Sequence, residues 1–446
     1  MAARTPNIQS VIHMNRRSFL RTSALAAAPL ILPSRIRGAG APSRALNLGI
    51  VGAGTRCNTH IGQFSRIPGL RVVAVCDIWP ERAEKAKGAV DALNRDTHCK
   101  AYHDFRELIA NPEIDIVTVA VPDHWHALVA VEAANRGKHI YLEKPFAHSI
   151  KEGQAIVKAV KRNGVILQNG TQQRSLASFQ RAVYLARHGY LGNIERAYAI
   201  SPPGPAGGDP TQTEIPPGFD YEFFTGPAPK TPFYRELMLR PGTPGWYFTS
   251  VFGGGWVTAW GSHHVDSAQF ALGKDYEAPI AVEAEGQYPE TGVFDTVYSW
   301  RAEFTYTDGK KMVYCTSDRP DSPKTGGNIV VVGDRGWVAA SRGKVWSNPA
   351  SLVERVWPRS DPDLKLMDGG GDGDHFTNFI DAIRTASRLN APMEVGRLST
   401  TLCHLTNIGI EVQRPLRWDT TAESFVNDPG ANRLLGRPLR APWKLS

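Results

Sequence analysis

The chain has 446 residues, 42% of them hydrophobic and 21% charged, with a formal net charge of +8. This length exceeds what one ordinary core holds, and the composition is that of a globular protein with two or three domains. Six arginines in residues 1–41, where Asp and Glu do not occur, account for most of the charge, since removing them leaves +2. The basic balance therefore does not indicate a nucleic-acid partner.

Residues 1–41 have the pattern of an export signal. Residues 15–21 read Asn-Arg-Arg-Ser-Phe-Leu-Arg, and a short apolar run from Ala24 to Leu32 follows. This arrangement resembles a twin-arginine signal, with a small-residue cleavage site at residues 39–41. The apolar run is much shorter than the ~20 residues that cross a bilayer. We therefore expect a periplasmic or otherwise exported protein with no stable membrane insertion after signal removal; an uncleaved tether is the alternative.

A continuous apolar strand, residues 46–51, leads directly into a glycine-rich turn and then a helix-like segment. In such a turn the first glycine makes the tight bend, the second lets the backbone approach a pyrophosphate, and the helix start offers amide donors. Cys57 occupies the third motif position, where Gly or Ala is usual. The turn predicts a dinucleotide site with contacts from Gly52, Gly54, Thr55 and Arg56.

A second apolar strand, residues 70–76, ends in Asp77, at the distance expected of the acid that hydrogen-bonds an adenosine ribose. A carboxylate there repels a 2′-phosphate, so NAD is favoured over NADP. The alternative is that Asp77 caps the helix beginning near Pro80.

A third buried strand, residues 114–121, precedes a loop that contains Pro122, His124 and His126, and a helix over residues 127–136 follows. Alternating strands and helices of this length indicate a doubly wound parallel sheet. The loop would share the cofactor crevice, which makes these three residues cofactor candidates. Packing at the helix start is an equal alternative for either histidine. Two nearby histidines and five widely spaced cysteines match no metal motif, so no metal is expected.

A fourth strand, residues 140–142, is followed at once by Glu143 and Lys144. Open α/β sheets bind ligands beyond the carboxyl ends of their strands, so both side chains are expected at the cofactor crevice. A partly desolvated lysine there can donate a proton or hydrogen-bond a substrate hydroxyl. The alternative is a surface ion pair between the two neighbours.

The segment from Gly137-Lys138-His139 to Glu143-Lys144-Pro145, with the glycine turn upstream, resembles the Gfo/Idh/MocA family of sugar-related oxidoreductases. The resemblance covers nearly everything after the export signal. It implies an α/β protein with an N-terminal Rossmann domain and a C-terminal α/β domain whose open sheet is mainly antiparallel. It also implies that Lys144 contacts both nicotinamide and substrate, and that the protein is a homodimer or homotetramer.

We therefore expect an NAD-binding domain over residues 45–170, a substrate-binding domain over residues 171–414, and an irregular tail over residues 415–446. Amphipathic helices within residues 375–411 are expected to pack on the NAD-binding domain. Alternating residues around 301–315 and 328–340 predict two hairpins of the second sheet.

A second informative segment, residues 253–266, begins with three glycines at residues 253–255. A neutral imidazole is a natural general base, although a lone histidine is more often structural. The resemblance implies that His263 is the catalytic histidine. It also implies that Ala259 stands where many relatives carry an aspartate. Asp266 is a candidate to supply that carboxylate instead. The substrate candidates are Gln173, Arg174, Trp260, His264 and Asp266.

The leading hypothesis is an exported NAD-dependent oxidoreductase acting on a sugar, cyclitol or glycoside. His263 would remove the hydroxyl proton, and Lys144 would stabilise the charge that develops on oxygen. Free NAD is scarce outside the cytoplasm, so the cofactor would be retained. One alternative is an NAD-dependent glycoside hydrolase that works by transient ring oxidation, elimination and re-reduction. Another is a non-catalytic sugar-binding module.

Overall fold

The computed structural model describes residues 45–240, 242–354 and 372–445. The predicted twin-arginine signal and its cleavage site lie outside the described residues. Within them, no helix has the length and apolar character needed to cross a membrane. All five cysteines lie in the described part of the chain as buried, free thiols.

The first sheet is parallel and, in the described residues, has six strands in the order β3-β2-β1-β4-β5-β6. The strands are β1 (Leu46–Val51), β2 (Leu70–Cys76), β3 (Lys100–Tyr102), β4 (Ile116–Val119), β5 (His139–Leu142) and β6 (Leu167–Asn169). The connecting helices are α1 (Thr55–Phe64), α2 (Pro80–Asn94), α3 (Phe105–Ala110), α4 (His126–Asn135) and α5 (Ile150–Asn163). The predicted doubly wound sheet is confirmed, and its strand order reverses between β1 and β4, where such sheets bind ligands.

The second sheet has nine strands in the described residues, in the order β13-β12-β11-β7-β10-β9-β8-β14-β15. The central pair β7 and β10 is parallel and the flanking pairs are antiparallel, so the mainly antiparallel sheet is confirmed. The strands are β7 (Ile194–Ser201), β8 (Ala281–Gln287), β9 (Ser299–Thr305), β10 (Lys311–Thr316), β11 (Ile329–Gly333), β12 (Gly336–Ser341), β13 (Lys344–Asn348), β14 (Leu416–Asp419) and β15 (Ser424–Phe425).

The helices of the second half are α6 (Ala177–Arg187), α7 (Tyr221–Thr225), α8 (Arg235–Leu239), α9 (Gly255–Ala259), α10 (Gly261–Leu272), α11 (Asp372–Thr385), α12 (Met393–Val412) and α13 (Pro429–Arg433). Short 3-10 turns cover Asp123–Trp125, Gln172–Ser175, Gly245–Phe248 and Ala350–Leu352. Side chains from α6, α10 and α12 form one hydrophobic core with the second sheet.

Close packing fixes the start of helix α10, which carries His263. A Cβ atom on Gly261 would lie 2.6 Å from the Cys403 sulfur on α12 and 2.8 Å from the Tyr314 hydroxyl on β10. Glycine therefore lets the helix approach both elements, and such tight cores resist movement. The histidine is held on a rigid element rather than on a loop.

Two C-terminal segments bind back onto the rest of the molecule. On α11, Phe376 stacks on Tyr141 of β5 with ring centroids 4.9 Å apart. Residues 415–446 are not an irregular tail throughout, because Leu416 of β14 pairs with Val282 of β8. The two strands of this segment, β14 and β15, have four and two residues, too few for an alternating pattern to be recognised in the sequence. Trp443 packs against Trp125, with ring centroids 4.7 Å apart.

Candidate active site

A cavity of about 830 Å³ runs between the carboxyl ends of β1, β2, β4 and β5 and the start of α10. Its lining begins at Asp77, passes the glycine turn and Lys144, and reaches His263. The predicted site residues that line it are Gly52, Gly54, Thr55, Arg56, Asp77, Pro122, Glu143, Lys144, Gln173, Trp260 and His263. Residues from both halves of the chain therefore meet in one space.

The glycine turn leaves room for a bound group beside the backbone. Gly52 has φ +98°, and a Cβ there would lie 2.3 Å from the Ala120 carbonyl oxygen, so only glycine fits. A Cβ on Gly54 would meet no atom within 4 Å, which leaves open space in front of the start of α1. The buried Cys57 faces the core instead. This cradle of backbone amides beside open space fits a dinucleotide pyrophosphate.

Asp77 holds the turn together from the end of β2. One carboxylate oxygen accepts a hydrogen bond from the Ala53 amide at 2.7 Å, and the other accepts one from the Trp79 amide at 2.9 Å. Trp79, not Asp77, occupies the N-cap position of α2. Burial raises the pKa of Asp77, while the two amides oppose that rise. Each oxygen keeps a further lone pair for a ligand hydroxyl.

His124 and His126, predicted to contact the cofactor, are buried outside the cavity lining. The ring nitrogens of His124 lie 3.2 and 2.8 Å from the carbonyl oxygens of Phe252 and Phe224. Those of His126 lie 2.6 and 3.0 Å from the carbonyl oxygens of Pro145 and Val121. Burial lowers their pKa values to about 3 and about 4, although the carbonyls favour protonation. Both rings therefore hold backbone segments together and do not line the cavity, which corrects the prediction that they contact the cofactor.

Glu143 is the hub of a buried network next to Lys144. Its Oε1 accepts hydrogen bonds from Arg56 Nε at 2.6 Å, His60 Nε2 at 3.0 Å and Gln172 Nε2 at 3.2 Å. Burial tends to raise the pKa of Glu143, but the Arg56 charge and the His60 and Arg56 hydrogen bonds hold it well below its usual range. The carboxylate is 5% exposed, so it is not part of a surface ion pair.

Lys144 extends from the end of β5 into the cavity. Its ammonium nitrogen lies 5.4 Å from the ring centroid of Tyr247, within reach of a cation–π contact. Burial lowers the pKa of Lys144, and the carboxylates of Glu143 and Asp123 oppose that change. Desolvation makes this ammonium a stronger proton donor than a surface lysine.

His263 lines the same cavity from α10. Its side chain is nearly fully buried, and its Nδ1 has no hydrogen-bond partner among the described residues. Burial, reinforced by the Lys144 charge, holds the pKa of His263 well below its usual value. The ring is therefore neutral near pH 7 and can accept a hydrogen bond from a hydroxyl.

Further buried polar atoms on the cavity wall have no hydrogen-bond partner within the described part of the chain. They are the amide oxygen and nitrogen of Gln173 and the indole nitrogen of Trp260. Buried polar groups are normally paired, so a cluster of unpaired ones around a cavity indicates a ligand that supplies the missing partners. A polyhydroxylated molecule, which both donates and accepts, fits this mixture.

Arg174, His264 and Asp266, predicted as substrate contacts, do not line the cavity in the described residues. Arg174 donates from Nε to Asp266 at 2.6 Å and also pairs with Asp275. Asp266 lies about one turn after His263 on α10, and its carboxylate is held there by Arg174. The Nδ1 of His264 lies 3.3 Å from the Ser201 hydroxyl. The three residues form buried polar contacts, and Asp266 does not supply a carboxylate beside Ala259.

Several lining residues were missed by the sequence analysis because they belong to no recognisable motif. The 3-10 turn Gly245–Phe248 contributes Trp246 and Tyr247, whose rings stack with centroids 3.8 Å apart. Asp123 follows Pro122, and proximity to a predicted crevice loop was its sequence signal. The missed lining residues include Asp123, Trp246, Tyr247, Arg240 and Arg342. In the described ranges, no group of His, Cys, Asp and Glu side chains is arranged to hold a metal ion.

Comparison with known families identifies both halves of the chain. The oxidoreductase-family model for an NAD-binding Rossmann fold, GFO_IDH_MocA, matches residues 46–171, and the model for the family's C-terminal alpha/beta domain matches residues 208–445. The chain belongs to the Gfo/Idh/MocA family. The predicted NAD-binding Rossmann domain of an oxidoreductase is thereby confirmed.

Individual Gfo/Idh/MocA relatives match over shorter stretches. Glycosyl hydrolase family 109 protein 2 of Shewanella sp. (strain ANA-3) is 30% identical over 41% of this chain and 46% of its own length. Inositol 2-dehydrogenase of Salmonella paratyphi B is 35% identical over 27% of this chain and 34% of its own length. The matches thus span less than half of these curated relatives.

A solved structure shows the same fold over most of the chain. The WlbA dehydrogenase from Bordetella pertussis, crystallised with NADH and UDP-GlcNAcA, has a TM-score of 0.60 and 20% sequence identity. The match covers 84% of this chain and 99% of that one. At this identity the likeness establishes the fold and leaves the substrate open.

Proposed function

We propose that this protein is an exported NAD-dependent oxidoreductase that transfers hydride between a retained nicotinamide cofactor and a hydroxyl-bearing carbon of a sugar, cyclitol or glycoside. The observation that carries the proposal is that Lys144 and His263 line one cavity together with the glycine turn and Asp77. The unpaired polar atoms of Gln173 and Trp260 lie on the wall of the same cavity, where they suit a polyhydroxylated substrate.

The two catalytic candidates have complementary protonation. Bound NAD supplies a hydride acceptor and donor at C4 of its nicotinamide ring. The Lys144 ammonium donates a hydrogen bond to the substrate oxygen and stabilises the negative charge that develops there. The neutral His263 ring accepts the hydrogen bond of the hydroxyl and acts as the general base. The cofactor contacts are assigned to Gly52, Gly54, Thr55, Arg56, Asp77, Pro122 and Glu143.

The predicted twin-arginine signal supports export and, with it, a cofactor that stays bound. Free NAD is scarce outside the cytoplasm, so each reduced cofactor would be reoxidised in place. Oxidation of one sugar coupled to reduction of another satisfies this requirement. A homodimer or homotetramer is part of the proposal, and size-exclusion chromatography with light scattering tests it.

A second candidate function is NAD-dependent glycoside hydrolysis through transient oxidation of the sugar ring. The relative named as a family 109 glycosyl hydrolase favours it. Ala259 also lines the cavity at the position where the family resemblance implies a carboxylate. In this case oxidation and re-reduction would balance within one turnover.

Mass spectrometry of the nucleotide released on denaturation, combined with panels of sugars, cyclitols and aryl glycosides, tests the proposal. The oxidoreductase is expected to release NAD on denaturation and to form NADH with at least one sugar or cyclitol. Release of the aryl leaving group without net NADH would favour the hydrolase instead. Nucleotide binding without turnover, unchanged by Lys144→Ala, would leave only a sugar-binding module. Failure to bind NAD would contradict both enzymatic functions.

A further inference from the structure

The end of the cavity that contains Asp77 is walled by both halves of the chain. Ile78 and Arg82, which follow β2, line it from the first domain. Phe219 and Phe223, which precede and belong to α7, line it from the second half of the chain. Asp77 is the residue assigned to the adenosine ribose, so this end is the seat of the adenosine in the function proposed above. An adenosine bound there would lie between the two walls.

Residues 219–226, which we call the bridging segment, are fastened to the ends of successive strands of the first sheet. Phe219 packs on Trp79, which follows β2, with ring centroids 5.1 Å apart. The Asp220 carboxylate lies 3.0 Å from Nε2 of His103, which follows β3 and itself lines the cavity. The bridging segment therefore passes over the carboxyl ends of β2 and β3.

The third attachment, at the 3-10 turn after β4, is the closest. The indole nitrogen of Trp125 donates to the Phe224 carbonyl oxygen at 3.0 Å, and the Phe223 ring packs edge-on against the same indole. Gly226, which follows α7, has φ +44°, and a Cβ there would lie 2.0 Å from the Trp125 ring, so only glycine fits. The bridging segment thus spans the edge of the sheet at which ligands bind.

Two residues near the C-terminus hold the bridging segment from its other side. The Arg440 guanidinium donates to the Gly226 carbonyl oxygen at 2.8 Å and pairs with the Glu222 carboxylate, so it serves as a cationic cap at the end of α7. The Trp443 ring stacks on Phe223, with centroids 5.8 Å apart and 14° between the ring planes. Among the described residues, both lie outside the cavity lining. They act on a bound nucleotide only through the bridging segment.

We propose that the bridging segment closes the adenosine end of the cavity and keeps NAD bound, and that Arg440 and Trp443 are positioning residues that hold it closed. The proposal rests on the function proposed above, which requires a cofactor that stays in the protein, and it assigns that requirement to particular residues. With adenosine seated beside Asp77, the nucleotide leaves after the segment has parted from the ends of β2, β3 and β4. Several hydrogen bonds and ring contacts break together in that movement, so release is slow.

Release of NADH measures this closure without requiring a substrate. The protein is loaded with NADH and mixed with excess NAD, and the loss of bound-NADH fluorescence gives the dissociation rate. Arg440→Ala and Trp443→Ala should each raise this rate at least about tenfold, because each removes contacts that hold the segment in place. Trp443→Phe keeps an aromatic ring against Phe223 and should release NADH at close to the wild-type rate.

Arg414→Ala is the matched control. Arg414 also lies in the C-terminal part of the chain and forms an arginine–carboxylate pair, with Asp428 at 2.8 Å, and its loss should leave the dissociation rate unchanged. Wild-type rates in Arg440→Ala and Trp443→Ala, accompanied only by lower melting temperatures, would give these residues a purely structural role and overturn the proposal. In that case NADH binding by wild type would still support the proposed function. A wild type that binds no NADH would overturn both.

Amide hydrogen exchange of the wild type tests the same proposal without any variant. Bound NAD should slow exchange in the bridging segment, because a nucleotide seated beneath it opposes its opening. Exchange in strand β9, on the second sheet, should not change. An exchange rate in the bridging segment that NAD leaves unaltered would overturn the proposal.

Discussion

The Glu143 Oε1 atom lies 2.6 Å from Nε of Arg56, which links the end of β5 to the first turn of α1. Through this contact, the residue before Lys144 is fastened to the helix whose start faces the predicted pyrophosphate site. The network around Glu143 therefore positions the cofactor turn and the catalytic lysine relative to each other.

Removing the Glu143 charge should destabilise the fold. We expect Glu143→Gln to lower the free energy of unfolding by about 1–3 kcal/mol at pH 7, because Arg56 and His60 lose a charged acceptor. The folded pKa of Glu143 lies below its unfolded value, so its contribution is present above about pH 4.5 and is lost as the pH falls. Denaturant titrations at several pH values measure both effects. Glu283→Gln, at an exposed position of β8, should change little.

The glycine turn allows a test of cofactor binding that leaves folding intact. Gly54→Ala adds a methyl group that touches no protein atom within 4 Å, so the melting temperature of the nucleotide-free protein should stay the same. The methyl group intrudes on the space in front of α1, and NAD affinity should fall at least about tenfold. Gly62→Ala, inside α1 and also free of contacts, should leave affinity unchanged. Equal affinities in isothermal titration would contradict the assigned pyrophosphate site.

The sequence predicted the parts of this protein that depend on local patterns. The strand, glycine turn and helix at residues 46–64 form a continuous motif, so Gly52 and Gly54 were placed correctly at the cavity. Lys144 and His263 line it as expected, although their catalytic roles stay predictions. Asp123 lies in the loop after β4, where its position next to Pro122 was the available signal, whereas Tyr247 could not be assigned because only the packing of the turn Gly245–Phe248 against the first domain brings it to the lysine.

Buried polar residues were the main source of error. His124 and His126 have the residue type and the position of cofactor ligands, yet each ring is enclosed by two backbone carbonyls. Arg174 and Asp266 likewise form a buried ion pair with each other instead of contacting the cavity. A single sequence does not show whether a polar side chain near a crevice points into it or into the protein, because that depends on long-range packing.

Acid should destabilise the protein through these histidines. The folded pKa values of His124 and His126, about 3 and about 4, lie below the ordinary value of 6.5. Their neutral forms are therefore compatible with the fold above pH 6.5, and stability is lost as the pH falls towards 4. We expect the free energy of unfolding to drop by at least about 3 kcal/mol over this range. His126→Gln should flatten the profile, whereas substitution of the exposed His98 should not.

The buried carboxylate of Asp123 should reduce the stability of the protein at neutral pH. Its folded pKa, about 7, lies above the ordinary 3.8, so folding becomes less favourable as the pH rises from 4 to 7. Asp123→Asn removes this cost, and the variant should be more stable than wild type at pH 8, by up to about 4 kcal/mol. The difference should vanish near pH 4. A variant less stable than wild type at pH 8 would mean that the carboxylate is satisfied in the fold.

The most direct measurement of the central claim is nicotinamide reduction by wild type, Lys144→Met and His263→Asn, each loaded with NAD and mixed with the sugar and cyclitol panel. We predict NADH absorbance with at least one compound for wild type, and rates lower by roughly 10²-fold or more for both variants while NAD stays bound. Oxidation of the same compound at the wild-type rate by either variant would contradict the assignment of these two residues to the reacting hydroxyl.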